Sequence, residues 1–345
     1  MLYATTRGKH DIVTAYKAAH TDCFSDGGLF VPFRMPCFQR QELEGLSAAK
    51  SSLIVAKILN MFFNCELSAE DVDSAWSKKE LKGAMLGRRL LVAELWRSAG
   101  SDVDHAVQQI SDRICADHKG QIPTNWMHIA VRIALLFASY GSMVASEQLR
   151  MHQMFDVAVT TGDFAMPIAA WYARQMGLPI GNIICGCNSN GGFWDMLNRG
   201  EFSTGELLVR TLTPESDIVV PRNLERLISA TMGLDEVHQY LQCCSRGKTY
   251  FLPDDALKQL ERGMYTAVIS DNRMAGIITG VFRTHEYVLS PYAALAYGSL
   301  QDYHATTGQT RPVVLLAERS PTRDRELVAQ LLNINEYDLT PLVTQ

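Results

Sequence analysis

The chain has 345 residues, 47% of them hydrophobic and 20% charged, which is the composition of a globular protein with a sizeable buried core. Its formal net charge is −5 and its lysines and arginines form no basic stripe, which argues against nucleic acid and anionic membrane surfaces as partners. The N-terminus lacks the pattern of a signal peptide, and the apolar run over 129–139 is interrupted by Arg132 and is too short to cross a bilayer. We therefore expect a cytoplasmic protein.

The eight cysteines predict neither a zinc site nor a redox motif. None of them forms a C-x-x-C pair, and no grouping of cysteine and histidine has the spacing of zinc ligands. We expect a core or surface position and no redox role for all eight, with Cys185 and Cys187 reduced on one face of a strand, and we expect no metal ion.

The order of predicted elements indicates an α/β fold with more helix than strand. In chain order we expect helices over 12–20, 40–47, 51–63, 69–78, 101–117, 126–140, 164–176 and 322–332, and strands over 29–31, 90–95, 157–159, 183–187 and 312–316. Strands and helices alternate from residue 155 onward. Such alternation predicts a parallel sheet flanked by helices on both faces.

Several short segments match known motifs in the same order along the chain. They are Tyr3 to Gly8 (Y-x-S-T-R-G), Asp26 to Pro32 (D-G-G-L-[FY]-V-P), Glu94 to Trp96 (E-L-[FW]), Asn125 to Ile129 (N-W-x-R-I), Thr161 to Pro179 (T-G-N-F-G and the helix that follows), Asn188 to Asn190, and Asp217 to Arg226 (D-I-x-x-P-S-N-F-E-R). Together they resemble the threonine synthase family, in its bacterial and fungal branch with an N-terminal extension. The resemblance implies fold type II of the pyridoxal phosphate enzymes, and conversion of phosphohomoserine and water to threonine and phosphate.

The first departure from the family is at the lysine that forms its Schiff base. In the family, E-L-F leads into H-G-P-T-x-[AS]-F-K-D, whereas here Asp104 stands where the motif has lysine. A carboxylate cannot condense with an aldehyde. The nearest downstream lysine is Lys119, outside the motif. On this basis we expect no pyridoxal phosphate.

A second departure is a deletion between the lysine helix and Asn125. Only residues 115–124 lie there, too few for the strand, glycine loop and helix of the family's small substrate subdomain. The resemblance thus divides the chain into an N-terminal extension over 1–89, a remnant of the lysine-bearing segment over 90–124, and a large α/β domain over 125–345.

Further departures fall in the segments that would hold the cofactor. A strand, Thr160 to Gly162 and a helix N-terminus form a favourable anion site, but Asp163 replaces the family's Asn and Ala165 its second Gly. Glu318 stands where the family presents a hydroxyl to the pyridine nitrogen. These changes suggest that the pocket changed its ligand.

The candidate residues each have a simpler interpretation as well. Asp102 and Asp104 suit the first turn of a helix capped by Ser101, and Asp163 could cap the helix that starts at 164. Glu318 could pair with Arg319 at the surface, and His128 suits a buried core histidine. Arg7 and Asp26 suit scaffolding of the extension. The candidate catalytic residues are Asp104, His105, Asp163 and Glu318, and the candidate binding residues are Thr160, Thr161, Gly162, Phe164, Ala165, Asn188 and Asn125.

Three functions remain open from the sequence. The first is a repurposed, lyase-like enzyme of specialised metabolism that works without pyridoxal phosphate. It would act by proton transfer, in an elimination, hydration or isomerisation, on an amino-acid-like or carboxylated small molecule. The second is a non-catalytic protein that senses a metabolite or binds a partner, as a homodimer or with another protein, through the apolar area left by the deletion. The third is a residual pyridoxal phosphate enzyme using Lys119 or a lysine of another chain.

Overall fold

The computed structural model describes residues 1–76, 81–98, 100–115 and 125–344. Helices and strands alternate through most of this part of the chain. In order they are β1 (Leu2–Thr5), β2 (Gly8–Thr14), α1 (Ala15–His20), β3 (Phe30–Pro32), α2 (Arg40–Ser47), α3 (Ser51–Phe63), α4 (Ala69–Ala75), β4 (Lys82–Leu86), β5 (Leu90–Glu94), α5 (Val103–Ile114), α6 (Trp126–Ala145), β6 (Phe155–Thr160), α7 (Ala165–Gln175), β7 (Ile180–Cys187), α8 (Gly192–Arg199), β8 (Glu201–Ser203), α9 (Leu224–Thr231), α10 (Leu234–Arg246), β9 (Thr249–Phe251), α11 (Asp254–Glu261), β10 (Met264–Val268), α12 (Asp271–His285), α13 (Pro291–Thr307), β11 (Val313–Ala317), α14 (Arg325–Leu332) and α15 (Glu336–Thr344).

A six-stranded sheet with the order β10-β7-β6-β11-β5-β4 forms the centre of the molecule. Five strands are parallel, and β4 pairs antiparallel with β5 at one edge. The mostly parallel sheet flanked by helices confirms the predicted fold class. β4 lies within residues 1–89, the range assigned to the N-terminal extension; that boundary, like the one at 124, stays a prediction.

Successive residues of the central strands pack into opposite layers. In β6 and β11, Val157 and Val314 join the cluster that includes α3, α6 and α7, whereas Ala158 and Leu315 join the cluster that includes α12 and α13. Side chains of a strand alternate between faces, so strands buried on both faces are apolar throughout. This is why the short apolar runs could be recognised as strands.

Helix α6 lies at the centre of the cluster that includes α3 and α7. By length and composition it is the one helix of the described ranges that could cross a membrane, but 83% of its most apolar window is buried inside the fold. It packs against α3 and α7. Its apolar character is therefore explained by its position between other helices.

The N-terminal region begins with a small antiparallel sheet in the order β2-β1-β3. The predicted helix over 12–20 is wrong in its first part, because Val13 pairs with Tyr3 in the sheet and Thr14 caps α1 by accepting the N–H of Lys17. Arg7 ties this region to α9, since its Nε and Nη2 both donate to Glu225 at 3.0 and 2.9 Å. The Arg7 Nη1 donates to the carbonyl of Asp26 at 2.9 Å, the scaffolding contact proposed from the sequence.

Two features inferred from the sequence lie outside the described residues. The shortened connection between α5 and α6 falls on 116–124, and Lys119 lies within it. The eight cysteines lie within the described residues as free thiols.

Gly186 in β7 offers a test of the packing between the sheet and α13. A Cβ added there would overlap the backbone carbonyl of Leu295 and lie 2.7 Å from the nitrogen of Ala296. We expect Gly186→Ala to lower the free energy of unfolding by about 1–3 kcal/mol, since backbone atoms cannot move aside as a side chain can. Urea denaturation measures the change. Gly276→Ala, in α12 with open space around it, is the control and should be neutral or stabilising; equal stability of both variants would contradict the packing described.

Candidate functional site

A cavity of about 560 Å³ opens at the carboxyl ends of three neighbouring strands. β6, β11 and β5 lie side by side in the sheet, and the segments that follow them bring Thr160, Asp163, Glu318 and Asp104 to the cavity wall. Ligands of open α/β sheets bind at this edge, because the connections from strand to helix converge there.

Asp104 reaches the cavity from the first turn of α5. The N-cap of α5 is Asp102, whose carboxylate accepts the N–H of His105 at 2.7 Å, so Ser101 is not the cap that the sequence suggested. The N–H of Val103 donates to the carbonyl of Glu318 at 2.8 Å. This bond fixes the start of α5 against the end of β11 and brings Asp104 and Glu318 to the same side chain of α6.

That side chain is Arg132, which is buried. Its Nη2 donates to Asp104 Oδ1 at 2.6 Å, and its Nε donates to Glu318 Oε2 at 3.0 Å. His128, one turn earlier on α6, has its Nδ1 3.2 Å from Arg132 Nη1. A guanidinium can only donate, so Nδ1 accepts and the ring proton is on Nε2, which lies 3.3 Å from Asp163 Oδ2. One arginine and one histidine thus join three carboxyl groups.

Asp163 lies in the turn between β6 and α7. Gly162 has a positive φ of 45°, and Phe164, at the N-cap position, also adopts the left-handed conformation. Asp163 Oδ1 accepts the N–H of Ala165 at 2.9 Å, and its Oδ2 accepts from Asn223 Nδ2 at 3.0 Å. Phe164, not Asp163, is therefore the N-cap residue of α7; Asp163 accepts the first helical N–H from one position earlier, and it also lines the cavity.

The three carboxyl groups differ in proton affinity. Burial raises the pKa of Glu318 to about 7, although the Arg132 guanidinium opposes this. Burial also acts on both aspartates, but it is outweighed by the Arg132 charge at Asp104 and by the hydrogen bond from His128 together with the Arg132 charge at Asp163, so both pKa values lie below the ordinary range. Arg132 is held in its charged form because Asp104 and Glu318 raise its pKa despite burial. Near neutral pH, the two aspartates are charged and Glu318 is divided between its two forms.

Carboxyl groups outnumber guanidinium groups among the described residues that line the cavity. Five carboxyl groups face three arginines. Arg319 pairs with Glu215 and Asp324, and Arg323 lies 3.4 Å from Asp102. Asp104 and Asp163 keep 50% and 45% of their side-chain surface exposed, so their charges remain open to the cavity. The site therefore favours a cationic group.

The structure brings together about half of the residues proposed from the sequence. The candidates that line the cavity are Asp104, His105, Asp163, Glu318, Thr160 and Gly162. The others serve the scaffold: Thr161 donates to the carbonyl of Gly186, Phe164 packs on Phe193, Ala165 is buried at the start of α7, Asn125 caps α6, and Asn188 binds Thr211, Thr213 and Asp217.

The sequence interpretation missed the two residues of α6 that connect the site. The sequence pattern presents Arg132 only as an interruption of an apolar run, and it favours a core position for His128. A charged residue inside a buried apolar helix requires a partner, and this was the signal that could have identified Arg132.

Comparison with known proteins agrees with the resemblance found in the sequence. Residues 2–78 match the family model described as the threonine synthase N terminus. The human threonine synthase-like 1 is 26% identical over 63% of this chain and 29% of its own length, and the rat threonine synthase-like 2 is 27% identical over 50% of this chain and 36% of its own. The match thus spans less than half of either relative.

Solved threonine synthases share the fold. The PLP-bound threonine synthase from Brucella melitensis aligns over 100% of this chain and 95% of its own, with a TM-score of 0.86 and 17% identity. The yeast enzyme aligns over 99% and 94%, with a TM-score of 0.84 and 14% identity. At such identities the likeness establishes the fold.

The comparison corrects our expectation about the cofactor. From Asp104 we expected no pyridoxal phosphate, but the solved structure that aligns with the whole chain is of a PLP-bound enzyme, so the fold points to that cofactor and the expectation is wrong. The described lining residues do not match a lysine-linked cofactor, however. They include no lysine, and Asp163 already accepts the N–H of Ala165 at the start of α7, where a phosphate would bind.

Proposed function

We propose that this relative of the threonine synthases binds an amino-acid-like small molecule in the cavity, through its ammonium group, and that Glu318 exchanges a proton with it. One observation supports the proposal above all: Asp104 and Asp163 are half-exposed, are charged near neutral pH, and lie on either side of His128. An ammonium group provides the charge and the three N–H donors that two such carboxylates accept.

The size and charge of the cavity narrow the class of ligand. A volume of about 560 Å³ is in the range of small-molecule sites. An anionic group beside Asp163 would face its carboxylate and the neighbouring Asp104, which disfavours phosphate there. A zwitterionic amino acid can place its amine against the exposed surface of one or both aspartates and its carboxylate toward the backbone and hydroxyl groups of Thr160 and Ser216.

Glu318 is the group best suited to move a proton. Its pKa of about 7 means that both forms are present at neutral pH, which is the condition for efficient general acid–base catalysis. The Arg132 Nε–H donates to Oε2 and fixes the orientation of the carboxyl group. An elimination removes a proton beside a carboxyl or carbonyl group, a hydration delivers one there, and an isomerisation by proton transfer requires both steps.

Isothermal titration calorimetry with L-threonine and 3-hydroxybutyrate tests the proposal. The two probes share a carbon skeleton and differ in the amino group. We expect L-threonine to bind at least about tenfold more tightly, since charge-assisted hydrogen bonds contribute about 1.5–3 kcal/mol. Asp163→Asn and Asp104→Asn should remove most of this preference, while the exposed Glu261→Gln, outside the cavity, should keep it. Equal binding of the two probes, or an unchanged preference in both Asn variants, would refute amine recognition.

A pyridoxal phosphate-dependent reaction is the second candidate. It is supported by the PLP-bound threonine synthase that shares the fold over the whole chain. Lys119, outside the described residues, or a lysine of another chain would then supply the amine. Incubation with pyridoxal phosphate, borohydride reduction and peptide mass spectrometry would identify a labelled lysine; an unlabelled protein would count against this candidate.

A non-catalytic binding role is the third candidate, and the mutual pairing of the site residues favours it. Arg132 holds Asp104 and Glu318, and His128 holds Asp163, as in a structural network. Product analysis by NMR of the bound probe separates the two roles. Release of product supports catalysis, and an unchanged probe supports sensing or regulation.

A further inference from the structure

An exposed apolar segment lies outside the cavity, between β8 and α9. It consists of Glu206, Leu207, Leu208, Val209 and Arg210, and we call it the ELLVR segment. Leu207, Leu208 and Val209 are 88%, 52% and 47% exposed. Single exposed apolar residues are ordinary on protein surfaces, but a contiguous run of them marks an interaction site.

The ELLVR segment is held firmly on the protein by side chains. The amide group of Asn190 binds both backbone groups of Val209: Oδ1 accepts its N–H at 2.9 Å and Nδ2 donates to its carbonyl at 2.9 Å. The Thr211 N–H donates to Asp217 at 2.9 Å just beyond the segment. Such anchoring keeps the apolar side chains in place instead of letting them fold inward.

One edge of the segment remains open for pairing. In an extended chain the N–H and C=O of one residue point to the same side, and those of its neighbours point to the opposite side. Both backbone groups of Val209 bind Asn190, as in an extended residue, and an extended segment would direct the backbone groups of Leu208 and Arg210 to the opposite side. Among the hydrogen bonds of the described residues, none involves the backbone of Leu208 or Arg210. The segment therefore offers an unpaired edge.

The charges at the two ends of the segment complement each other. Glu206 lies two residues before Leu208, and Arg210 lies two residues after it; both are exposed. If two copies align antiparallel with Leu208 opposite Leu208, Glu206 of each copy lies opposite Arg210 of the other. Leu207 then lies opposite Val209. The segment is thus complementary to itself about a two-fold axis, which is the requirement of an isologous interface.

We propose that the ELLVR segment pairs antiparallel with the same segment of a second copy of this chain, around a two-fold axis at Leu208. A second copy is favoured over an unrelated partner because of this antiparallel alignment. Each charged residue then lies opposite a residue of the other charge, and each apolar residue lies opposite an apolar residue. Five paired residues bury less area than a permanent dimer, so the dimer should be weak, with a Kd between about 1 µM and 1 mM. The proposal does not depend on the cavity or its ligand.

Sedimentation equilibrium of the full chain over a concentration series tests the pairing. We expect a monomer–dimer equilibrium in the unsubstituted chain and a monomer for Leu208→Asp, which places two carboxylates opposite each other. Glu206→Arg and Arg210→Glu each convert two attractive cross-strand pairs into repulsive ones and should raise Kd by about tenfold or more. Glu261→Arg, a reversal of charge elsewhere on the surface, should leave Kd unchanged.

Mixing the two charge variants provides the sharpest test. A chain with Glu206→Arg and a chain with Arg210→Glu are complementary to each other though not to themselves, so the mixture should form heterodimers with near-normal affinity. The double variant Glu206→Arg/Arg210→Glu should recover the homodimer. A monomer at every concentration, a dimer unaffected by Leu208→Asp, or failure of the mixture to associate would overturn the proposal. Circular dichroism of each variant, expected to be unchanged, excludes unfolding as the cause.

Discussion

Replacing Arg132 by methionine is expected to lower the free energy of unfolding by about 3–5 kcal/mol, the cost of breaking a buried ion pair from one side. Methionine fills a similar volume, so the main loss is charge and hydrogen bonding. Glu318 would be left buried without its donor, and Asp104 would lose its 2.6 Å partner. The substitution also removes the two bonds that Arg132 donates to His128.

Chemical denaturation of three variants measures this effect and its origin. Arg199→Met, which breaks an exposed pair with Asp195, should cost less than about 1 kcal/mol and serves as the control. The double variant Arg132→Met/Glu318→Gln should be more stable than Arg132→Met alone, because a neutral amide needs no counter-charge. If Arg132→Met were no more harmful than Arg199→Met, the network would not be as described.

Glu318→Gln is expected to remove a decline of stability with rising pH. A carboxyl group whose pKa rises from 4.5 in the unfolded chain to about 7 in the folded protein binds more protons when folded. Its contribution is fully present below about pH 4.5 and is lost as the pH rises through about 7, amounting to at most about 3 kcal/mol. Asp104 and Asp163 act in the opposite direction, but only in acid, because their folded pKa values lie below the ordinary range.

The contribution of Glu318 can be isolated by measuring the unfolding free energies of the unsubstituted chain and of Glu318→Gln between about pH 4.5 and pH 8. The difference between Glu318→Gln and the unsubstituted chain should shift in favour of the variant as the pH rises. Groups common to both proteins cancel in the comparison. A difference that stays constant over this range would mean that Glu318 titrates normally.

Motifs and periodicity were sufficient to predict the layers of the fold. Val157 and Val314 stand in short apolar runs, which sheets buried on both faces require, and the helices over 40–47 and 51–63 were predicted at their observed bounds. The helix predicted over 12–20 wrongly includes Ile12, Val13 and Thr14, which are β-branched and favour a strand. Their pairing with β1 is not visible from the local pattern, and the residues that follow them are helical. Strand β10 was not predicted, since its pairing with β7 is decided only in the assembled sheet.

The motifs indicate some of the residues that line the cavity, and only the three-dimensional structure shows which residues connect them. The sequence predicts Asp104, Asp163 and Glu318 as site residues because each departs from a motif of the family that the chain resembles. Their common partner Arg132 lies on a different helix, 28 residues from Asp104 and 186 from Glu318, so no spacing rule connects them. Asn188 lies outside the described lining of the cavity. Its position matched the motif, but its amide is engaged by the loop that follows β8.

The function proposed for the cavity requires that Asp104 and Asp163 recognise an amine. A crystal structure of the full chain with saturating L-threonine tests it directly. We predict the ammonium nitrogen within about 2.7–2.9 Å of a carboxylate oxygen of one or both aspartates, with the α-carbon facing Glu318. Finding instead the ligand's carboxylate against these side chains, or the ligand bound only outside this cavity, would contradict amine recognition by Asp104 and Asp163.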